Sequence, residues 1–313
     1  MAKTSENIPR PPLSPLHWPA WLGLGLLRLM LLLPFPLLVL IGRGLGRGIY
    51  YLAWRWRFYT YLNLRRCFPD KPRREHGRLA KAHFEAVGIG IFELGLGWWA
   101  SDRRLRRLVT VEGLEHLEAA QAQGKGVLIM SAHFTSFEIG GRLLGLFTPF
   151  HLMYRPNRNP VLEYVVQRSR RRHFDGIIPS NNIRTLMRRL REGHCVWYAP
   201  DLAYTKQNHV WVPFFGRPAP TNTATSRIAR ATDSPVVPFY PERLPGGRGY
   251  CLHLLPALED FPSDDPEADT VRTNAVLEEQ IRKVPEQYFW SFDRFKTRLH
   301  KRWRRARFLA GRR

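Results

Sequence analysis

Gly126-Val127-Leu128-Ile129-Met130-Ser131-Ala132-His133-Phe134-Thr135-Ser136-Phe137-Glu138 is the stretch on which the fold turns. Its first five residues form an unbroken apolar run, as a core strand does. Beyond Glu138 the period changes, and Ile139, Leu143, Leu144 and Phe147 fall roughly on one face of a helix. His133 therefore stands where a strand ends and a helix begins. In an α/β fold that is the edge at which ligands bind. A histidine there, with a carboxylate five positions on, can take a proton from a hydroxyl: the carboxylate orients the ring and stabilises its charged form. Thr135-x-x-Glu138 fits a capping box as well, in which Glu138 only satisfies a backbone N–H.

Working outward, strands are expected at 108–111, 149–154, 195–199, 235–240 and 250–256. Helices are expected at 44–66, 74–98, 114–123, 160–173, 181–192, 221–232 and 266–283. This alternation predicts an α/β domain with a mixed central sheet flanked by helices. The division expected is a loose N-terminal tail over 1–20, a membrane-anchoring segment over 21–42, and one catalytic domain over 43–313 ending in a basic tail.

Residues 22–41 are almost continuously apolar. As one helix they would be about 30 Å long, roughly a bilayer's hydrocarbon core. Arg28 is costly at mid-membrane unless it snorkels, and Pro34 and Pro36 interrupt the hydrogen-bond ladder. The segment therefore reads as a spanning N-terminal membrane helix, as a bent hairpin in one leaflet, or as a buried soluble helix. Arg43, Arg47, Arg55, Arg57, Arg65 and Arg66 follow it, whereas only Lys3 and Arg10 precede it. The positive-inside rule then places the catalytic domain on the cytoplasmic side.

Forty-nine lysines and arginines against 26 acids leave a formal charge of +23. Such a surface attracts phosphates, anionic lipid, nucleic acid or acidic proteins. The basic residues form no recognised nucleic-acid module, so no nucleic acid is expected as partner. Cys67, Cys195 and Cys251 are too scattered for a disulfide framework or a zinc motif, and no nucleotide or metal loop is present; no metal or cofactor is expected.

Three more clusters sit at expected element ends. Tyr154-Arg155-Pro156-Asn157-Arg158-Asn159-Pro160 ends a strand, and Arg155 and Asn159 are candidate substrate contacts. Arg168, Arg171 and Arg172 share one face of the next helix, while Arg170 points elsewhere; guanidinium groups suit phosphate, though a solvated basic face explains most of them. Asp201 closes Tyr198-Ala199-Pro200-Asp201, either orienting a site residue or capping a turn. Val212-Pro213-Phe214-Phe215-Gly216 reads as an apolar loop, lining an acyl chain or part of the core. Thr221 and Thr223 open a helix, where hydroxyls hold phosphate or serve as caps. The stretch 294–313 carries ten lysines and arginines and no acid, which suits anionic lipid or nucleic acid, with Trp303 and Phe308 suited to a membrane interface.

NLRRCFPD (63–70), FEAVGIGIFELGLGWW (84–99), HFTSFEIGGR (133–142), YRPNRNP (154–160), VWYAPD (196–201), VWVPFFG (210–216) and PEQYFWSFDRFKTR (285–298) occur in this order. Together they resemble the late acyltransferases of lipid A biosynthesis, most of all the lauroyl-transferring branch, from about Trp18 to Arg298. The resemblance implies a glycerolipid-acyltransferase-like fold at the bacterial inner membrane. It also implies transfer of an acyl chain from acyl-carrier protein to a hydroxyacyl chain of a Kdo-bearing lipid A precursor. His133 and Glu138 match the family's catalytic pair, and Arg170 matches a site arginine that stabilises oxyanion charge or holds a phosphate. Leu202-Ala203 and Phe292-Asp293 depart from the family pattern, which bears on the acceptor. The competing readings are transfer to another membrane lipid and a non-catalytic basic binding protein.

Overall fold

The structure, a computed structural model, describes residues 11–203 and 209–296. The basic tail expected beyond residue 296 lies outside the described residues, as does the start of the N-terminal tail. Five helices come first: α1 (Trp18–Met30), α2 (Phe35–Leu52), α3 (Trp54–Cys67), α4 (Arg73–Trp99) and α5 (Asp102–Arg106). Strands and helices then alternate as β1 (Val109–Glu112), α6 (Leu114–Gln121), β2 (Leu128–Met130), α7 (Phe137–Leu144), β3 (His151–Tyr154), α8 (Pro160–His173), β4 (Gly176–Pro179), α9 (Ile183–Arg191) and β5 (Val196–Tyr198). The hairpin β6 (His209–Phe214) and β7 (Arg217–Asn222) leads into α10 (Ala224–Thr232), β8 (Val236–Arg243), β9 (Tyr250–Leu254) and α11 (Pro266–Lys283).

Seven strands form one sheet in the order β1-β9-β8-β2-β5-β3-β4. The run from β8 to β4 is parallel, and β9 turns antiparallel against β8, so the sheet is mixed as expected. Strand alternation divides the core in two. Ile129, Trp197 and Val237 face the cluster that holds Leu31, Leu38, Ile89 and Leu143 of the segment and helices on that side. Leu128, Met130, Val196 and Val236 face the opposite way, onto Leu186 and Leu190 of α9 and Ile228 of α10. Thus α1, α2, α4 and α7 cover one face, and α9 and α10 the other.

The expected spanning helix is corrected by the structure. Among the described residues no helix is long and apolar enough to cross a membrane. The apolar segment breaks between Met30 and Phe35, leaving α1 with 13 residues, about 20 Å of helix. Pro34 caps α2, and Pro36 occupies its first turn, where a missing N–H costs nothing. Arg104 of α5 donates to the carbonyls of Leu31 and Leu33 in the break. The helix expected over 44–66 is likewise divided, at Ala53.

Helices α2 and α4 touch through glycine. A Cβ on Gly88 would stand 2.7 Å from the Cα of Gly46 and closer still to the carbonyl of Gly42. Gly88→Leu is therefore expected to force the helices apart and cost about 2–3 kcal/mol. A thermal melt checks this against Gly77→Leu, where the same helix has open space.

Candidate functional site

The strand–loop–helix unit places His133 just beyond β2, and Asp201 just beyond β5. Because these strands are neighbours, with Met130 beside Tyr198, residues 68 apart in sequence meet. His133 Nδ1 lies 2.6 Å from Asp201 Oδ1, and the His133 backbone N–H donates to Asp201 Oδ2 at 3.0 Å. Tyr288 donates its hydroxyl to the same Oδ2 at 3.0 Å. Asp201 is buried, whereas the His133 side chain is 30% exposed and lines a cleft of about 1020 Å³. Nε2 makes no hydrogen bond among the described residues. With Asp201 accepting at Nδ1, Nε2 is the basic nitrogen of the neutral ring.

Burial opposes the charged imidazole, but the charge of Asp201 and its hydrogen bond outweigh burial and raise the His133 pKa above its ordinary value. Burial likewise opposes the Asp201 carboxylate. The His133 charge and hydrogen bonds from His133 and Tyr288 overcome it and hold its pKa below the usual range.

The loop between β2 and α7 is fastened from the far end of the chain. Thr135 N donates to Gln287 O, Phe289 N donates to His133 O, and Phe134 bridges Tyr288. From beneath, Arg243 reaches Thr135 Oγ1 at 3.4 Å while bound to Glu93 through both carboxylate oxygens, a buried ion pair. Phe137 stacks on the His133 ring, with centroids 5.0 Å apart, and its own ring stacks on Trp197.

Glu138 is not the ring's hydrogen-bond partner. Its carboxylate receives Arg170 Nε at 3.1 Å and Nη2 at 2.6 Å, and Trp98 Nε1 at 3.3 Å. Arg170 also lies over the Tyr154 ring, 5.4 Å from its centroid, and lines the cleft. Helix α7 begins only at Phe137, so Glu138 leaves the loop and turns toward α4 and α8.

The other candidates separate. Arg155 is exposed and lines the cleft. Asn159 is engaged as the N-cap of α8, accepting from Val161 N and Leu162 N. Thr221 does not open a helix: it lies buried in β7, donating to Ala219 O and accepting from Arg294. Thr223 precedes α10 and is buried, while its neighbours Asn222 and Ala224 line the cleft. Val212, Phe214 and Phe215 are buried in and beside the hairpin, and the two phenylalanines share a core cluster with Leu277 and Trp290. Tyr288 and Arg227, which also lines the cleft, carry no local sequence signal.

The set among the described residues that could hold a metal is Glu112, Cys251 and His253, whose ligand atoms lie within 4.8 Å of one another. Both His253 nitrogens already meet carboxylates, Glu112 at 3.1 Å and Glu242 at 2.9 Å. This reads as an ion network tying β1, β9 and β8, and none of these residues lines the cleft.

A buried carboxylate behind a half-exposed imidazole, at the mouth of a cleft with arginine in its wall, suits proton removal from a hydroxyl and stabilisation of an oxyanion. Comparison with known proteins identifies the family. Residues 11–297 match the family model described as bacterial lipid A biosynthesis acyltransferase. The lipid A biosynthesis lauroyltransferase of Escherichia coli K12 is 38% identical, over 91% of this chain and 94% of its own. The palmitoleoyltransferase of the same strain is 34% identical over the same shares, and its myristoyltransferase 26% identical over 91% of this chain and 88% of its own. The chain belongs to the bacterial lipid A biosynthesis acyltransferase family and is an acyltransferase.

Proposed function

We propose that this protein is a late acyltransferase of lipid A biosynthesis, moving an acyl chain, lauroyl first among candidates, from acyl-carrier protein to a hydroxyacyl chain of a Kdo-bearing precursor. The observation that carries the reading is the 2.6 Å contact of His133 Nδ1 with Asp201 at the edge of a cleft large enough for lipid chains. The acceptor hydroxyl lies against Nε2, which takes its proton as the oxygen attacks the thioester carbonyl. Asp201 keeps Nδ1 protonated and stabilises the imidazolium. The tetrahedral oxyanion faces Arg170, whose Nε and Nη2 are held by Glu138 while Nη1 has no hydrogen-bond partner among the described residues. Collapse breaks the carbon–sulfur bond, and the imidazolium returns its proton to the leaving thiolate. The lipid is the nucleophile, so no acyl-enzyme forms.

In this reading the protein lies on the inner membrane's cytoplasmic surface without crossing it. Trp18, Leu22, Leu26 and Leu29 recur along one exposed face of α1, and Leu32, Leu40, Trp54 and Trp56 beyond it are exposed as well. An apolar face of this extent suits insertion at the interface.

Transfer of labelled dodecanoyl groups from acyl-carrier protein to a purified Kdo-lipid A precursor tests the proposal, and mass spectrometry of lipid A from a deletion strain identifies the missing chain. An unchanged lipid A profile in that strain refutes it. Glu138→Ala frees Arg170 and is expected to lower kcat by about 10²-fold. Its pH profile should keep the wild-type acid limb, because Glu138 does not hold the imidazole.

A further inference from the structure

The cleft has two unlike banks. One is formed with Arg170 of α8, and α8 packs through Val161, Val165 and Val166 on Leu24 of α1 and Trp98 of α4. That bank adjoins the exposed leucine and tryptophan stripe. The other bank is built from Ile183 and Met187 of α9 and from Arg227 and Arg230 of α10. These helices cover the opposite face of the sheet, as the two core clusters require.

The outer surface of that second bank is cationic. Arg184, Arg188 and Arg191 recur at positions three and four apart along α9, and all three are exposed. Arg227 and Arg230, three apart on α10, are exposed as well. Arg191 binds the carbonyl of Ala231 and joins the two helices into one surface. Three acids lie against it: Glu192 pairs with Arg189 at 2.8 Å and with Arg188 at 3.9 Å, Asp264 with Arg230 at 3.1 Å, and Asp233 with Lys125 at 2.5 Å, so the arginines of the two helices still outnumber the acids they meet. Leu186 and Leu190 are buried, and Ile183 is the one large apolar side chain exposed on either helix, at the cleft itself. Without an apolar edge this surface has nothing to insert into lipid. A dense arginine face beside an open cleft suits a soluble, acidic protein partner.

We infer that the exposed arginine face of α9 and α10 docks the acidic carrier protein that delivers the acyl thioester, on the side of the sheet away from the apolar stripe. The inference rests on the acyl-transfer reading above. Docked there, the carrier stands at the rim that Arg227 shares with His133, so its tethered thioester enters the cleft from the second bank while the lipid acceptor enters from the first.

The test uses the full chain carrying Arg184→Glu and Arg188→Glu, two exposed positions outside the cleft wall. Donors are dodecanoyl-acyl-carrier protein and dodecanoyl-pantetheine, which lacks the protein. The double variant is expected to raise KM for the carrier-bound donor by about tenfold or more and to flatten the salt dependence of kcat/KM. Rates with dodecanoyl-pantetheine should match wild type, which also shows that the variant is folded. An unchanged KM for the carrier-bound donor overturns the inference. So does an unchanged donor KM together with weakened binding to phosphatidylglycerol vesicles, which would make this face a lipid contact. Wild-type protein inactive with both donors would instead sink the acyl-transfer reading, and the docking face with it.

Discussion

Alanine at His133 is expected to lower acyl transfer by about 10³-fold or more, the share general-base catalysis supplies. Among the described residues Nε2 of His133 has no hydrogen-bond partner, and no second imidazole lines the cleft. The loss should fall on kcat, since cleft shape and arginine lining survive. The loop should survive too, because its hold is largely backbone: His133 N to Asp201, Phe289 N to His133 O, and Thr135 N to Gln287 O. Asp201 keeps two donors, the His133 N–H and the Tyr288 hydroxyl. Single-turnover transfer and a thermal melt together decide the matter. Activity within tenfold of wild type would remove His133 from the chemistry.

Asp201→Asn carries the second large effect, a fall in kcat of about 10²-fold to 10⁴-fold. An amide in that place no longer stabilises the imidazolium and can present its N–H₂ to Nδ1, favouring the wrong tautomer. The pH profile separates this role from structural support. The neutral ring is the active base, and Asp201 raises its pKa, so wild-type activity rises with pH through a value above that of ordinary imidazole. Asparagine removes the charge and leaves the burial, which acts to lower the pKa. The acid limb should therefore move to lower pH while the plateau drops. A variant that loses activity with the limb in place would show that Asp201 acts only as scaffolding. Stability follows the same linkage. The raised His133 contributes fully below the ordinary imidazole value and fades as pH rises through its folded value. The lowered Asp201 contributes above the ordinary carboxylate value and fades as pH falls through its folded value.

The two roles show what was legible in the chain and what was not. The strand–loop–helix unit around His133 could be read directly, because the period of its apolar residues changes at one point. Helix α8 was equally legible: Asn159 caps it and Pro160 starts it. The partner of His133 was not, since Asp201 arrives through strand adjacency across 68 residues, whereas the carboxylate of Glu138, near in sequence, binds Arg170 and Trp98. The hairpin β6–β7, expected as an apolar loop over 212–216 and a helix start at Thr221, is hidden in the sequence by Pro213, Pro218 and Pro220. A two-stranded ribbon tolerates them, since each strand has a free edge where a missing N–H breaks no pairing. Strand β4 is four residues ending in proline, too short to show a period. The apolar run over 22–41 gave correct composition but misleading continuity, because its interruption is completed by Arg104, a residue far along the chain.

The grip of Gln287, Tyr288 and Phe289 on the loop at His133 also sets a timetable for synthesis. A nascent chain that has emerged as far as α10 already contains the imidazole, its carboxylate and both strands that present them. It lacks the clasp. On the acyl-transfer reading proposed above, acid–base competence is expected only once residues 287–289 have been made, and shorter products should be inert toward thioesters.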